Sequence, residues 1–285
     1  MKKKILKSVC IAMLVCCCSG CGKQSEVITF DETVVEITSV YSPELERDMV
    51  VRIYLPPQYE ESDASYPVIY MPDGQNLFDT ATASYGKEWC MDETMEELYE
   101  MDRTEGVIVV GVDSDAATRN CDYNLYLSSY EHGGEGDAAK VADFFANTLK
   151  SYIDENYRTL PEREHTAIIG SSYGAIVSIC TTVEYPELYG YTGAFSYCDN
   201  QNPARMEEYL KNNITKETFA DHKLYFLIAE NDFARLSSEN AYEIAVENGI
   251  DNVGCTFAEG GEHDECTWSE YVDDCLEYFG WIQSE

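Results

Sequence analysis

The sequence predicts an α/β fold, with a mostly parallel central sheet and helices on both faces. The main observation is a set of short, nearly continuous apolar runs, which are typical of parallel strands buried on both faces. Stretches with helical periodicity separate these runs, and this alternation is the pattern of a doubly covered sheet. A strand-like run, a Gly-Ser-Ser-Tyr-Gly turn and a helical stretch follow one another over residues 166–184. We expect the functional site at the carboxyl ends of the strands.

The elements can be placed in order along the chain. Residues 33–40 and 48–55 alternate enough to predict two antiparallel opening strands. Apolar runs then predict parallel strands at 67–71, 107–112, 166–170, 192–196, 224–229 and 253–258. Helical patterns lie near 91–102, 138–155, 174–184, 203–212, 237–248 and 267–281. The polar stretches 113–137 and 199–221 should overhang the carboxyl edge, where loops select substrates.

The N-terminus has the pattern of a secretory signal. Four lysines precede a short apolar stretch, and Ser19-Gly20-Cys21 follows it. The apolar stretch is shorter than the roughly 20 residues that span a bilayer. The segment also resembles a bacterial lipoprotein signal with Cys21 as the lipid attachment site, although Cys18 stands where an aliphatic residue is usual. We expect export, with anchoring at the cell surface or else secretion, and a division into signal peptide 1–20, anchor and tether 21–29, and one catalytic domain 30–285.

The charge of the chain argues against polyanionic partners. Its 285 residues carry 53 acidic and 19 basic side chains, a formal net charge of −34. Such a field repels nucleic acids and slows the approach of anionic substrates, whereas neutral substrates are unaffected. We expect no nucleic-acid partner, and membrane contact only through a lipid anchor.

The cysteines and acidic residues do not indicate a metal site. Five of the 12 cysteines lie at or before position 21, and the other seven contain no Cys-x-x-Cys pair of the kind that binds zinc. A disulfide between Cys255 and Cys266 stays open, because spacing alone does not establish a bond. Asp113, Asp115 and Asp122 lack the spacing and the terminal glutamate of an EF-hand calcium loop. We expect neither a metal nor an organic cofactor.

The pentapeptide Gly170-Ser171-Ser172-Tyr173-Gly174 matches the Gly-x-Ser-x-Gly nucleophile elbow. A sharp strand-to-helix turn lifts the serine hydroxyl above the sheet, and flanking glycines let neighbouring backbone pass close by. Ser172 is the candidate nucleophile. The same turn directs the backbone N–H of Tyr173 and the positive end of the helix at a developing oxyanion. The alternative is a structural Gly/Ser turn.

A serine nucleophile needs an imidazole base. Of the four histidines, His165 and His222 precede strands and therefore map to the amino-terminal edge of the sheet. His132 lies in the long polar stretch and fits a surface or substrate-contact role. His263 follows the last predicted strand and precedes the last helix, which is where this arrangement places its base.

The acid of the triad should follow the strand 224–229, which ends in Glu230-Asn231-Asp232. Asp232 is preferred, and Glu230 stays open because strand ends are uncertain by a residue or two. The chain order Ser172, Asp232, His263 is that of α/β-hydrolases. A second oxyanion donor is expected in the loop after the strand 67–71, at the backbone N–H of Gln75.

Several motifs together resemble a known family. They are Tyr66–Tyr70, Asp73–Phe78, Gly86–Trp89, Tyr152–Thr159, Gly170–Gly174 and Gly260–His263 with Trp268. They are similar to the putative esterase family, the esterase D-like branch of α/β-hydrolases that includes feruloyl and acetylxylan esterases, siderophore esterases, S-formylglutathione hydrolases and mycolyltransferases. The resemblance runs from about residue 30 to the end and implies an α/β-hydrolase fold with Ser172 as nucleophile, His263 as base and Asp232 as acid. Tyr173, Ala175 and Ala229 depart from residues common in the family.

We therefore expect a serine esterase that works through an acyl-enzyme, with the Tyr173 and Gln75 amides stabilising the oxyanion. Export, acidity and 22 tyrosines with Trp89 and Trp268 favour a neutral acylated or feruloylated carbohydrate over a trianionic ferric catecholate. A siderophore esterase, an acyltransferase and a peptidase remain alternatives on the same triad. A surface lipoprotein that only binds glycans is the alternative without catalysis.

Overall fold

The protein is built around a central β-sheet, seen here in a computed structural model. The structure describes residues 26–30, 33–128 and 134–284, so the predicted signal peptide, Cys21 and His132 lie outside the described residues. The strands in this part of the chain are β1 Glu26–Phe30, β2 Thr33–Ser42, β3 Arg47–Tyr54, β4 Val68–Pro72, β5 Ile108–Val112, β6 Tyr126–Leu127, β7 Gly134–Glu135, β8 Thr166–Ser171, β9 Tyr191–Phe195, β10 Lys223–Ala229 and β11 Val253–Ala258.

Nine of these strands form one sheet in the order β1-β2-β3-β5-β4-β8-β9-β10-β11, while β6 and β7 form a separate hairpin. Strands β1, β2 and β3 pair antiparallel, β3 pairs antiparallel with β5, and every later pair is parallel. The predicted α/β architecture with a mostly parallel sheet is confirmed. The sheet begins at Glu26, inside the segment 21–29 expected to be a tether, because the β-prone sequence Val-Ile-Thr-Phe pairs with β2.

The helices of the described chain connect these strands. They are α1 Met91–Glu100, α2 Arg119–Asp122, α3 Ala138–Asp143, α4 Lys150–Asn156, α5 Tyr173–Glu184, α6 Pro203–Asn213, α7 Arg235–Glu247, α8 Glu265–Ser269 and α9 Val272–Phe279. A π-helical segment, Phe144–Leu149, joins α3 to α4. The single helix expected at 267–281 is instead two helices, α8 and α9, which are separated at residues 270–271. α8 also starts earlier than expected, because the Asp264 side chain accepts the Thr267 N–H at 2.9 Å and caps the helix.

Alternate strand side chains pack on the two faces of the sheet. On β4, Ile69 and Met71 join the cluster formed with α1, α8 and α9, while Val68 and Tyr70 join the opposite cluster with the helices after β7. All of these side chains are buried, so the strand ends are fixed by core packing. The loops that follow β4, β8, β10 and β11 therefore leave one edge of a rigid sheet. Within the described residues, no helix is both long and apolar enough to cross a membrane.

Candidate active site

The turn between β8 and α5 holds Ser172 in a strained backbone conformation. Its φ of 55° and ψ of −125° are rare for a residue with a side chain, and such strain concentrates at functional turns. A Cβ at Gly170 would lie 2.4 Å from the Gly174 carbonyl oxygen, so the turn requires glycine there. A Cβ at Gly174 would have Pro72 Cβ as its nearest neighbour, at 3.3 Å, which is tight but not prohibitive. The sequence thus forms the sharp strand-to-helix turn expected of a nucleophile elbow.

Three side chains from three loops form a continuous hydrogen-bonded chain. His263 Nε2 lies 2.9 Å from Ser172 Oγ, and His263 Nδ1 lies 2.7 Å from Asp232 Oδ1. Asp232 is 7% exposed, and its Oδ1 also accepts the Ala234 N–H at 2.6 Å. With Nδ1 protonated and donating to the carboxylate, Nε2 is free to accept the serine proton. The arrangement has the chemistry of a nucleophile, a base and an orienting acid.

The charge of Asp232 is stabilised in place. Burial alone would raise the pKa of this carboxyl, but hydrogen bonds from His263 and from the Ala234 N–H oppose it, and the pKa lies below its usual value. The lowered pKa favours the ionised carboxylate, which is the form that accepts the His263 Nδ1–H and orients the imidazole.

The competing acid and histidines lie elsewhere. Glu230 is exposed, and its Oε2 accepts the Gly260 N–H at 2.8 Å rather than reaching His263. His222 is fully buried just before β10, with Nε2 2.9 Å from Thr192 Oγ1, and burial lowers its pKa to about 3. His165 lies on the short turn before β8. The structure brings together Ser172, Asp232 and His263 and leaves these three candidates outside.

A cleft of about 980 Å³ opens at Ser172. Its wall contains four side-chain amides, of Asn76, Asn120, Asn200 and Asn231, and four aromatic rings, of Tyr85, Tyr173, Phe233 and Trp268. The charged side chains along it are Asp73, Lys87, Arg119, Glu262, Asp264 and Glu265. Both cations are paired inside the cleft, Lys87 with Asp264 at 2.5 Å and Arg119 with Asp73 at 2.7 Å. The cleft is therefore polar, partly aromatic and net acidic.

Arg119 and Asp73 form a buried ion pair at the edge of the elbow. Asp73 adopts a left-handed φ of 61°, and both of its oxygens accept from Arg119, at 2.8 and 2.7 Å. The Arg119 guanidinium lies over the rings of Tyr123 and Tyr173, 5.2 and 5.5 Å from their centroids. Burial opposes the charge on Asp73, but Arg119 and the hydrogen bonds from Ser114 and Gln75 lower the pKa of this carboxyl. This pair fixes the start of the turn that contains Gln75.

Gln75 lies on the short turn Gly74–Asn76 directly after β4. Its side-chain Oε1 accepts the Ser114 N–H at 2.9 Å, and its backbone carbonyl accepts the Thr82 hydroxyl at 2.8 Å. Gln75 is flanked by cleft-lining residues but does not itself line the cleft, whereas Tyr173 does. The turn is held rigidly beside the elbow.

A buried polar contact also links this turn to the loop that contains His263. Asn76 Nδ2 donates to Glu265 Oε1 at 3.0 Å, and Glu265 lies only two residues after His263. Glu265 is buried, and burial raises the pKa of its carboxyl. This hydrogen bond therefore joins the turn after β4 to the loop that contains His263.

A family comparison decides the relationship of the chain. The model of the family described as "Putative esterase" matches residues 42–270. The chain belongs to the putative esterase family. The resemblance seen in the sequence motifs is thereby confirmed.

The protein has distant relatives of known sequence and structure. It is 23% identical over 150 residues to "Uncharacterized protein YbbA" of Bacillus subtilis (strain 168), a match that covers 50% of the chain and 54% of the relative. The chain thus spans about half the length of this curated relative. An IroE-like serine hydrolase from Shewanella oneidensis superposes with a TM-score of 0.71 at 18% identity, covering 86% of the chain and 80% of that structure. A ferulic acid esterase gives a TM-score of 0.69 at 17% identity, covering 87% and 98%. At these identities the structures show a shared fold.

Sequence reasoning missed three features of the site. Arg119 is the single basic residue of the acidic stretch 113–137, a signal that could have marked it. The Phe233 ring lies against that of His263, with centroids 4.2 Å apart, and nothing in the sequence around Phe233 marks this contact. Glu265 reads as an ordinary helix start.

Other expectations concerned cysteines and metals. Cys255 and Cys266 are both free, exposed thiols, on β11 and α8 respectively, so the open question of a bridge is answered against it in this structure. Asp113 pairs with Arg52, and Asp122 pairs with Arg47. No group of three or more potential metal ligands occurs within the described ranges.

Proposed function

We propose that this protein is a serine esterase that hydrolyses carboxylic esters through an acyl-enzyme. The hydrogen-bonded chain from Ser172 through His263 to Asp232, at the floor of an open cleft, carries the proposal. A serine hydroxyl alone is a weak nucleophile at neutral pH. The hydrogen bond from Ser172 to His263 would supply the base that the serine needs. Membership of the putative esterase family supports the same reaction class.

The geometry supports a two-step reaction. Ser172 Oγ attacks the ester carbonyl carbon while its proton passes to His263 Nε2, and a tetrahedral oxyanion forms. As the oxyanion collapses, the bond to the alcohol breaks and the imidazolium returns the proton to the leaving oxygen. Water then attacks the acyl-enzyme with His263 again as base, which releases the acid and restores the serine. Asp232 stays ionised and keeps the imidazole oriented throughout.

The oxyanion is assigned to two backbone donors. Tyr173 is the first residue of α5, so its N–H has no acceptor within the helix and lies at the positive end of the helix dipole. The Gln75 N–H is the proposed second donor, because its turn leaves β4 beside β8 and is fixed by the Asp73–Arg119 pair. In a known serine hydrolase, loss of one such donor lowers the rate on the order of 10²- to 10³-fold.

The cleft favours a neutral, polyhydroxylated substrate such as an acylated or feruloylated carbohydrate. Its volume of about 980 Å³ is large enough to hold much more than a short acyl chain. Side-chain amides and partly exposed aromatic rings line it, and carboxylates outnumber the two cations. Because both cations already have partners, an anionic ferric catecholate would find no free countercharge there.

The proposal is tested by release of acid from three esters. Wild type, Ser172→Ala and Ser171→Ala are compared on 4-nitrophenyl acetate, acetylated xylan and methyl ferulate. We expect wild type and Ser171→Ala to hydrolyse at least one substrate, and Ser172→Ala to fall by about 10³-fold or more. If wild type releases no acid from any of the three, or Ser172→Ala matches it, the esterase proposal is wrong.

We also propose export with a lipid on Cys21, on the basis of the N-terminal sequence pattern alone. Mass spectrometry of the mature N-terminus should show a diacylglyceryl cysteine at position 21. If the mature protein lacks this modification, the proposed lipid anchor is wrong, and the esterase proposal is unaffected.

A further inference from the structure

An exposed aromatic ring lies directly against the imidazole of the site. The Phe233 ring centroid is 4.2 Å from that of His263, with the planes inclined by 36°. Trp268 also contacts the imidazole, edge-on at 5.3 Å. Trp268 is 4% exposed and belongs to the core, whereas Phe233 is 72% exposed. One ring therefore supports the base from inside the protein, and the other faces the cleft.

Hydrogen bonds within the protein hold the backbone around Phe233 in place. The Ala234 N–H donates to Asp232 Oδ1 at 2.6 Å, and the Asn231 N–H donates to the Gly261 carbonyl at 2.8 Å. These bonds tie the residues on both sides of Phe233 to the acid and to the loop before His263. Because this backbone is already fixed, contact of a ligand with the ring costs little further backbone entropy.

The chemistry of the reaction decides which part of an ester meets this ring. His263 Nε2 returns its proton to the leaving oxygen, so the alcohol portion must lie on the His263 side of the reacting carbon. Phe233 covers a face of the same imidazole and lines the same cleft. The ring is therefore placed to contact the alcohol rather than the acyl group.

The groups beside Phe233 indicate the kind of alcohol. Asn231 and Glu262 are exposed, line the cleft, and immediately precede Asp232 and His263 in the chain. An amide and a carboxylate accept hydrogen bonds from hydroxyl groups, and an aromatic face receives the apolar C–H face of a sugar ring. An anionic alcohol would be repelled by Glu262.

We infer that Phe233 is the platform for the alcohol portion of the substrate and that this alcohol is a carbohydrate. The inference rests on the proposed esterase function and adds the side of the cleft, the contacting ring and the class of leaving group. Phe233 becomes a specificity residue whose effect depends on the alcohol that leaves.

The test uses two esters of the same acid, a methyl ester and an ester of xylobiose, with the acyl group that wild type hydrolyses. Covering roughly 50 Å² of apolar surface at about 25 cal/mol per Å² corresponds to just under a tenfold effect. We expect Phe233→Ala to lower kcat/KM for the sugar ester about tenfold more than for the methyl ester. Phe233→Trp should retain the preference for the sugar ester.

Leu236→Ala is the matched control, because Leu236 is 77% exposed and close in sequence but does not line the cleft. It should leave the ratio of the two kcat/KM values unchanged. An equal loss on both esters in Phe233→Ala would show that the ring acts only through His263 and would overturn the inference. An unchanged ratio with active enzyme would also overturn it. Failure of the proposed function itself is distinguishable, because wild type would then hydrolyse neither ester.

Discussion

Replacing Arg119 by methionine tests the buried ion pair beside the elbow. The change leaves Asp73, which is 5% exposed, with a charge and no guanidinium. Removing one partner of a buried pair costs about 3–5 kcal/mol of unfolding free energy. Because the Arg119 side chain is 28% exposed and the Ser114 hydroxyl still donates to Asp73 at 2.6 Å, we take the lower end, about 3 kcal/mol. For a chain of this size that corresponds to a fall in Tm of roughly 6–9 °C.

Activity should fall as well, since Asp73 starts the turn that contains Gln75. We expect kcat on 4-nitrophenyl acetate to drop about 10- to 100-fold with little change in KM, as for partial loss of an oxyanion donor. Tm is measured by differential scanning calorimetry. The double variant Asp73→Asn/Arg119→Met should regain part of the lost Tm, because it removes the unpaired buried charge.

Arg52→Met supplies the matched control. Arg52 makes a bidentate pair with Asp113 at 2.7 and 2.9 Å, outside the lining of the cleft. It should lower Tm and leave kcat within about twofold of wild type. The reasoning is refuted if Arg119→Met keeps the Tm and kcat of wild type, or if the double variant is no more stable than the single one.

Three further outcomes follow from the geometry. Asp232→Asn should lower kcat by about 10⁴-fold, whereas Glu230→Gln should change kcat less than about threefold. Both variants are measured by steady-state kinetics on one ester, and equal losses of kcat would contradict the assignment of Asp232 as the acid. Gly170→Ala should lower the free energy of unfolding by about 2 kcal/mol or more, measured with urea, because its Cβ would lie 2.4 Å from a carbonyl oxygen. Gly174→Ala should lower it less, and the reverse order would contradict the geometry of the elbow. Burial raises the pKa of Glu88 to about 7, so the folded protein favours the protonated carboxyl. The free energy of unfolding therefore includes a stabilising contribution from Glu88 below about pH 4, and this contribution is lost as the pH rises through 7. Glu88→Gln should therefore raise Tm relative to wild type at pH 8 and not at pH 4. An equal gain in Tm at both pH values would contradict a Glu88 carboxyl whose pKa is raised by burial.

Local sequence was sufficient to place the elbow turn, His263 and most of the sheet. Gly170–Gly174 is marked by five adjacent residues, and His263 by its place between the last strand and the last helices. Asp232 against Glu230 could not be decided from sequence, because the choice depends on the turn after Ala229 and on which side chain that turn directs at His263.

Contacts between distant segments were beyond sequence reasoning. Arg119 reaches Asp73 across 46 positions, and Asn76 reaches Glu265 across 189. Each of these residues reads locally as a surface or turn residue, and only the packing of the loops at the carboxyl edge turns them into parts of one site. The overlap of β1 with the expected tether has the same origin, since a strand at the edge is defined by its partner β2.

The central claim is that Ser172 is the nucleophile, and covalent trapping tests it most directly. Wild type is incubated with diethyl 4-nitrophenyl phosphate, and peptides are mapped by mass spectrometry alongside residual esterase activity. We predict one diethylphosphoryl group per chain, on Ser172, with loss of activity in proportion to labelling and markedly slower labelling in His263→Ala. Full inactivation with the label on another residue, or retained activity with Ser172 labelled, would contradict it.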